Sequence, residues 1–184
     1  MNLTTERLNL RPLQRTDLDN IHALHSTPAV DKYNTMGIPQ SVRETEQIML
    51  GWMMGEQADP IQRYTFVIEN KAGDFIGLAG IIMGKPNYRS AEIWYKLNLN
   101  QWSKGYATEA VKGMLQFCFA TLQLHRVEAG CAAANVASAR VLEKAGMTLE
   151  GVKRKVLPIR GEWLDGNNYG VLDEDYLNTG MSKT

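Results

Sequence analysis

Residues 91–122, AEIWYKLNLNQWSKGYATEAVKGMLQFCFATL, decide how this chain folds. Ala91 to Leu97 is a β-rich run, whereas Val111, Leu115, Cys118, Phe119 and Leu122 recur at helical spacing and form one apolar stripe. Between them NQWSKGYATEA is a loop that feeds the helix, with Gly105 just ahead of its first turn. A helix N-terminus presents N–H groups without intrahelical partners and the positive end of the helix dipole, and a glycine lets the backbone approach an anion closely. The segment is therefore a candidate pyrophosphate cradle. A glycine that merely shapes the turn fits the same residues.

Working outward, Glu6 to Leu13 alternates Leu8 and Leu10 with polar residues, which predicts a strand. Asp17 to His25 carries Leu18, Ile21 and Leu24 at helical spacing, with Thr16 as its expected cap. A second helix should start at a Ser41 cap, with Glu44 completing a capping box, run through Ile48, Met49, Trp52 and Met53, and end in the stretch Ala58 to Gln62. Tyr64–Glu69 and Phe75–Met83 are two strands joined by the short NKAGD turn. Beyond the decisive stretch, Arg126 to Ala133 reads as a buried strand and Ala137 to Ala145 as a helix capped by Asn135 and stopped by Gly146. Two further strands fill Met147 to Leu172. The order βααβββαβαββ combines antiparallel runs with one βαβ crossover, so the expected fold is α+β, with a mixed, mostly antiparallel central sheet flanked by helices. No repeat and no Pro/Gly/Ser-rich linker interrupts it, and residues 1–184 are expected to form a single domain.

Composition narrows the function classes. With 44% hydrophobic and 22% charged residues the chain is neither disordered nor a disulfide scaffold. Twenty basic residues against twenty acidic ones argue against a general nucleic-acid or anionic-membrane binder. Cys118 and Cys131, the only cysteines, lie in apolar runs and read as small buried thiols of a cytoplasmic protein. His22, His25 and His125 lack partners at ligand spacing, so no metal is expected. The longest uncharged run, Gly113 to His125, is too short and polar to span a bilayer.

A second motif follows the first: NVASARVLEKAGM, residues 135–147, a short helix capped by Asn135, with Ser138 in its first turn and Lys144 near its end. Asn135, Ser138 and Gly146 have sufficient structural roles as cap, first-turn residue and stop. The succession of strand, glycine-started helix, strand and short capped helix carries more. Together with TERLNLRPLQRTDL, GLAGI, AEIWYKLN, WSKGYATEA and EGVKRKVLPIRGEWLDGNNYGVL, it resembles the GNAT superfamily of acyl-CoA-dependent N-acetyltransferases, and within it the ribosomal-protein N-terminal acetyltransferase branch, over nearly the whole chain. The family's diphosphate loop, Gln/Arg-x-x-Gly-x-Gly/Ala, is matched by Gly105, Tyr106 and Ala107, with Trp102 standing at its first position. That departure removes one side-chain brace.

The resemblance implies attack of a substrate amine on acetyl-CoA, which requires a base, a donor for the oxyanion and an exit for the thiolate. By the same resemblance Ser103, Lys104, Gly105, Tyr106, Ala107, Thr108, Asn135, Ser138 and Lys144 bind the cofactor, and the Tyr95 to Leu97 backbone faces it where the strand splays from its neighbour. Glu92 is the implied base; a salt-bridged, solvent-facing strand residue is the structural alternative. Many relatives use a Tyr to protonate the leaving thiolate, but the matching position here is Leu142, which leaves Ser138 to act as acid or only to hold the sulfur. A thiol with a pKa of about 8.5 leaves readily in any case.

The expected acceptor is a protein or peptide N-terminus, next a polyamine or aminoglycoside; a catalytically silent acyl-CoA-binding module is the alternative from another class. Met49, Trp52 and Met53 are expected in the core or, less simply, in a lid, and Lys153, Arg154 and Lys155 on a solvated face. Trp163, Asp165 and Tyr169 are expected to line an acceptor groove or a homodimer contact. The charge balance is not uniform along the chain: residues 93–160 carry 10 Lys or Arg against 4 Asp or Glu, a basic segment suited to the phosphates of coenzyme A.

Overall fold

The structure is a computed structural model that describes residues 1–178; residues 179–184 of the expected domain lie outside the described residues. Eight strands form one sheet: β1 (Leu3–Thr4), β2 (Leu8–Pro12), β3 (Arg63–Asn70), β4 (Phe75–Met83), β5 (Ser90–Leu97), β6 (Arg126–Ala132), β7 (Thr148–Ile159) and β8 (Glu162–Leu172). The order across the sheet is β1-β2-β3-β4-β5-β6-β8-β7. Every pairing is antiparallel except β5 with β6, which the βαβ crossover makes parallel. The helices are α1 (Leu18–His25), α2 (Pro28–Asp31), α3 (Val42–Glu56), α4 (Tyr106–Gln116), α5 (Val136–Lys144) and α6 (Asp173–Asn178). The expected α+β order is present, with β1, α2 and α6 as short additions.

Both faces of the sheet are covered over β3 and β4, which explains why those strands are buried almost throughout, whereas β6 alternates buried with exposed residues and β7 is exposed along most of its length. On β3, Phe66 and Ile68 pack with Ala110, Val111, Met114 and Leu115 of α4 and Leu142 of α5, while Val67, pointing the other way, packs with Ile21 and Leu24 of α1 and Met49 and Trp52 of α3. Each such fully buried side chain contributes about 1.5–3 kcal/mol. Met49 and Trp52 are thus core residues. The α4 stripe holds through Cys118, but the helix widens to a π-turn over Phe117–Thr121, so Phe119 and Leu122 are only half-buried.

Local signals fared unevenly at the helix starts. Ser41 Oγ accepts from Glu44 N at 3.3 Å as expected, but Glu44 reaches back to Gln40 N at 2.7 Å rather than to Ser41 N. Thr16 does not cap α1. A 3-10 turn, Arg15–Asp17, precedes that helix, and buried Asp17 instead accepts from Gln14 N at 2.8 Å and pairs with Arg11 at 2.6 Å. Charge pairing at the end of β2 outcompetes the hydroxyl cap. Asn135 behaves as expected, its Oδ1 accepting from Ser138 N at 3.2 Å. Lys153, Arg154 and Lys155 are exposed on β7.

Candidate active site

The parallel ladder between β5 and β6 lasts three residue pairs, Ser90↔Arg126, Ala91↔Val127 and Glu92↔Glu128. Past Glu92, β5 continues to pair only with β4, and past Glu128, β6 only with β8. The sheet is therefore split into two limbs with a wedge between them. Backbone direction follows from the flanking bonds. Ser90 O accepts from Gly84 N at 2.8 Å and Asn98 N donates to Ile76 O at 2.9 Å, both toward β4, whereas Arg89 O accepts from Arg126 N at 3.3 Å, toward β6. By alternation Ile93, Tyr95 and Leu97 turn their N–H and C=O groups into the wedge. Those are the strand edges onto which an extended, amide-bearing chain pairs.

The glycine loop lies at the wide end. Gly105 is the α4 N-cap at φ +82°, a left-handed conformation that other residues adopt only with strain, and a Cβ there would stand 3.2 Å from Arg7 Nη2. Glu109 N is the first to bond within the helix, to Gly105 O at 3.1 Å, which leaves the N–H groups of Tyr106, Ala107 and Thr108 for an anion. Ser103 also has positive φ, 60°, and Lys104 is exposed, its Nζ donating to Gln101 at 3.0 Å. Two braces replace the missing one. Trp102 Nε1 donates to Leu97 O at 2.9 Å, tying the loop to the end of β5. Arg7 Nη1 donates to Lys104 O at 3.0 Å, its guanidinium lies 4.9 Å from the centre of the Tyr106 ring, and its Nε pairs with Glu109 at 2.7 Å. Burial opposes ionisation of Glu109, but bonds from Thr5 and Arg7 outweigh it and hold the carboxyl below its ordinary pKa.

On the α4–α5 side of the wedge, Tyr95 crosses from β5 to α5. Its hydroxyl lies 2.8 Å from Ser138 Oγ and 3.3 Å from Ser138 O. Burial pushes the phenol up to about 12, against the Ser138 bond, so it stays protonated and can donate. Cys131 on β6 bonds the same serine, and burial raises its thiol too; it is half-buried, not fully enclosed as its apolar run suggested. Leu142 is 1% exposed in the core and unreachable for chemistry. Lys144 is exposed in the last turn of α5, roughly 9 Å of helix rise beyond Ser138, so the structure does not bring it to the wedge.

The opposite face carries Glu92, Trp94 and Lys96 by alternation along β5. Glu92 occupies the last paired rung, at the apex of the wedge. Although the Glu92 side chain is exposed on this face, partial desolvation of its carboxyl and the facing Glu128 raise its pKa, with Lys153 opposing, and its Oε1 lies 3.9 Å from where a Cβ on Gly130 would stand. Trp94 packs on Trp52 with ring centres 5.5 Å apart, and Trp52 meets His25 edge-on at 5.8 Å. Lys96 is largely buried and burial pushes its pKa down to about 8, with Asp31 opposing. The hairpin residues divide: Trp163 is exposed, Asp165 accepts from Lys155 N at 2.8 Å, and Tyr169 is buried on the α5 side with its hydroxyl donating to Glu143 at 3.1 Å.

The family profile described as Acetyltransferase (GNAT) domain matches residues 7–148. The chain belongs to this family. It is 31% identical over 181 residues to the uncharacterized N-acetyltransferase YnaD of Bacillus subtilis (strain 168), covering 96% of this chain and 99% of that one. Its structure is similar to that of a Vibrio cholerae spermidine N-acetyltransferase solved with CoA and spermine, with a TM-score of 0.84 at 27% identity over 95% of this chain and 100% of that one. It is similar also to Mycobacterium smegmatis RimJ solved with CoA-disulfide, with a TM-score of 0.81 at 25% identity over 95% and 90% of the two chains. This GNAT protein is an acyl-CoA-dependent N-acetyltransferase with acetyl-CoA as its donor.

The residues present suit that donor: a left-handed glycine followed by free N–H groups for a diphosphate, then two strand edges that, apart from Leu97 O, are left for a chain of amides. Among the described residues no helix is long and apolar enough to cross a membrane. Arg7, the Tyr95 hydroxyl and Lys96 are the site residues that sequence reasoning missed. A lysine directly after the bulky run IWY of residues 93–95 was the one visible signal for Lys96.

Proposed function

We propose that this GNAT enzyme acetylates the α-amine at a protein or peptide N-terminus, in the cytoplasm and by direct attack on the thioester. The observation that carries the choice of acceptor is Lys96: a buried cation beside the wedge repels a polycation, whereas a peptide N-terminus brings a single charge and neutral amides. Acetyl-CoA supplies the carbonyl that the amine attacks and the thiolate that leaves. Gly105, Tyr106, Ala107 and Thr108 hold the diphosphate through backbone N–H groups, with Ser103, Lys104 and the Arg7 brace shaping the loop. The Tyr95 and Leu97 N–H groups, directed into the wedge, donate to the carbonyl oxygen. Glu92 takes the amine proton, directly or through water; its raised pKa brings it closer to an α-amine of pKa about 7.7–8. Tyr95 fills the role that Leu142 cannot: its hydroxyl, paired with Ser138, donates to the leaving sulfur.

A polyamine is the second reading, favoured by the spermidine N-acetyltransferase neighbour. Free-thiol release from acetyl-CoA with a panel of N-terminal peptides, spermidine, spermine and an aminoglycoside separates the two. Peptide turnover at a kcat/KM at least about tenfold above the amines is expected, and turnover of polyamines alone sinks the first reading.

A further inference from the structure

On the α1 side of the wedge, four neighbouring residues hold polar atoms that are buried without a hydrogen-bond partner among the described residues: Lys96 Nζ, Asp31 Oδ1, Asn34 Nδ2 and both ring nitrogens of His25. Asp31 is 3% exposed and His25 1%. Folded interiors seldom leave such groups unpaired, so a cluster of them beside a reaction site calls for a reason. The cluster is assembled from β5, α1, and α2 with the turn that follows it, where Asn34 N bonds Asp31 O at 2.8 Å. Charge couples its members: Asp31 acts on Lys96, and Lys96 on His25. Even so, Lys96 and Asp31 do not meet as an ion pair among the described residues. Among the described residues Asp31 has one ion pair, with Arg160 from the β7–β8 turn, at 3.4 Å through Oδ2; the same Arg160 nitrogen donates to Pro28 O at 3.1 Å. One exposed guanidinium thus covers the cluster from outside, and Oδ1 stays buried without a hydrogen-bond partner.

A group lodged between Lys96 and Asp31 must accept from the first and donate to the second. An ammonium or a methylene chain cannot do both. A peptide unit can, through its carbonyl oxygen and its N–H. Lys96 also flanks Tyr95 and Leu97, whose N–H groups face the wedge, so a peptide unit held there stands next to the reacting amine.

Resting on the N-terminal reading above, we infer that Lys96 and Asp31 form the subsite that recognises the first peptide unit of the acceptor, its carbonyl oxygen accepting from Lys96 Nζ and its N–H donating to Asp31 Oδ1. Lys96 is then a specificity residue. An amine lacking that peptide unit leaves both charged groups unpaired and is disfavoured.

The test uses the full chain with acetyl-CoA, an alanine-started tetrapeptide amide, its analogue with the first carbonyl reduced to methylene, and spermidine. Wild type is expected to prefer the tetrapeptide over the reduced analogue by about 30-fold in kcat/KM, the scale of one charge-assisted hydrogen bond. Lys96→Met should bring the two within about threefold while the acetyl-CoA KM stays put, and Lys96→Arg should restore part of the preference. Thermal unfolding checks that each variant folds, and Asp31→Asn, which keeps the volume, gives a second route to the same loss. If Lys96→Met slows all acceptors equally, or leaves the tetrapeptide preference intact, the inference is overturned while peptide acetylation stands. If wild type turns over spermidine and no peptide, the N-terminal reading fails and takes this subsite with it.

Discussion

Glu92 and Tyr95 lie three residues apart on one strand and point to opposite faces of the sheet, which suits one to the incoming amine and the other to the departing sulfur. Replacing Glu92 by Gln should lower kcat by about 10²–10³-fold, the range for a positioned base, with the acetyl-CoA KM changed less than about twofold. A variant with near wild-type turnover removes Glu92 from the chemistry. Tyr95→Phe should cost no more than about 10²-fold in kcat, because the thiolate leaves readily, and Ser138→Ala should then add little, since the two hydroxyls act as a pair. His25 makes a different kind of prediction. Buried at 1% exposure against Trp52, its imidazole pKa is pushed down to about 4 by burial and the nearby Lys96 and His22. The unfolded chain takes up that proton near pH 6.5, so between 6.5 and 4 it binds more protons than the folded one. Stability is full above 6.5 and falls through that window by about 3 kcal/mol. Chemical denaturation of wild type and His25→Leu across this range should show a flatter acid limb for the variant; parallel curves would contradict the assignment.

At the level of elements, the start of α4 is held from two directions. Trp102 ties the loop to the end of β5, and Arg7, from the N-terminal region before β2, grips Lys104 O and Glu109. Gly105→Ala places a side chain at φ +82° and 3.2 Å from Arg7 Nη2, so the loop must move. With about 1–2 kcal/mol of strain, the acetyl-CoA KM should rise about tenfold or more and kcat much less, as steady-state kinetics with varied donor would register. An unchanged KM would mean that the loop does not carry the diphosphate. This element was only partly legible in the sequence: Trp102 at the first motif position looked like a lost brace, yet its indole braces the loop through Leu97 O.

For the whole molecule, the wedge is an opening in an otherwise continuous sheet, and a ligand that pairs with both limbs closes it. Acetyl-CoA at a hundred times its Kd should add about 2.7 kcal/mol of stability, raising the melting temperature of a chain of this size by about 5–10 °C. S-acetylpantetheine, which lacks the diphosphate, should give a far smaller shift. Equal shifts would leave the Gly105 loop without its role. The uneven charge along the chain works at this scale too: high salt should weaken donor binding, because the basic segment 93–160 supplies most of β5 together with the α4 start and β6.

Caps, turns and strand runs were legible because each is settled within a few residues. Ser41 and Glu44, Asn135 and Ser138, and Gly105 before α4 need no distant partner, and together they marked the α+β order and the candidate donor loop. The side chains that tune the site meet across long separations, and only the tertiary structure decided those meetings. Tyr95 reaches Ser138, 43 residues on, and Arg7 reaches Glu109, 102 residues on. Lys96 faces Asp31 from a different element altogether. Periodicity says that Lys96 shares a face with Glu92 and Trp94, but not which helix covers that face. That depends on strand register and on where the β5–β6 ladder stops, quantities set by the packing of the whole sheet.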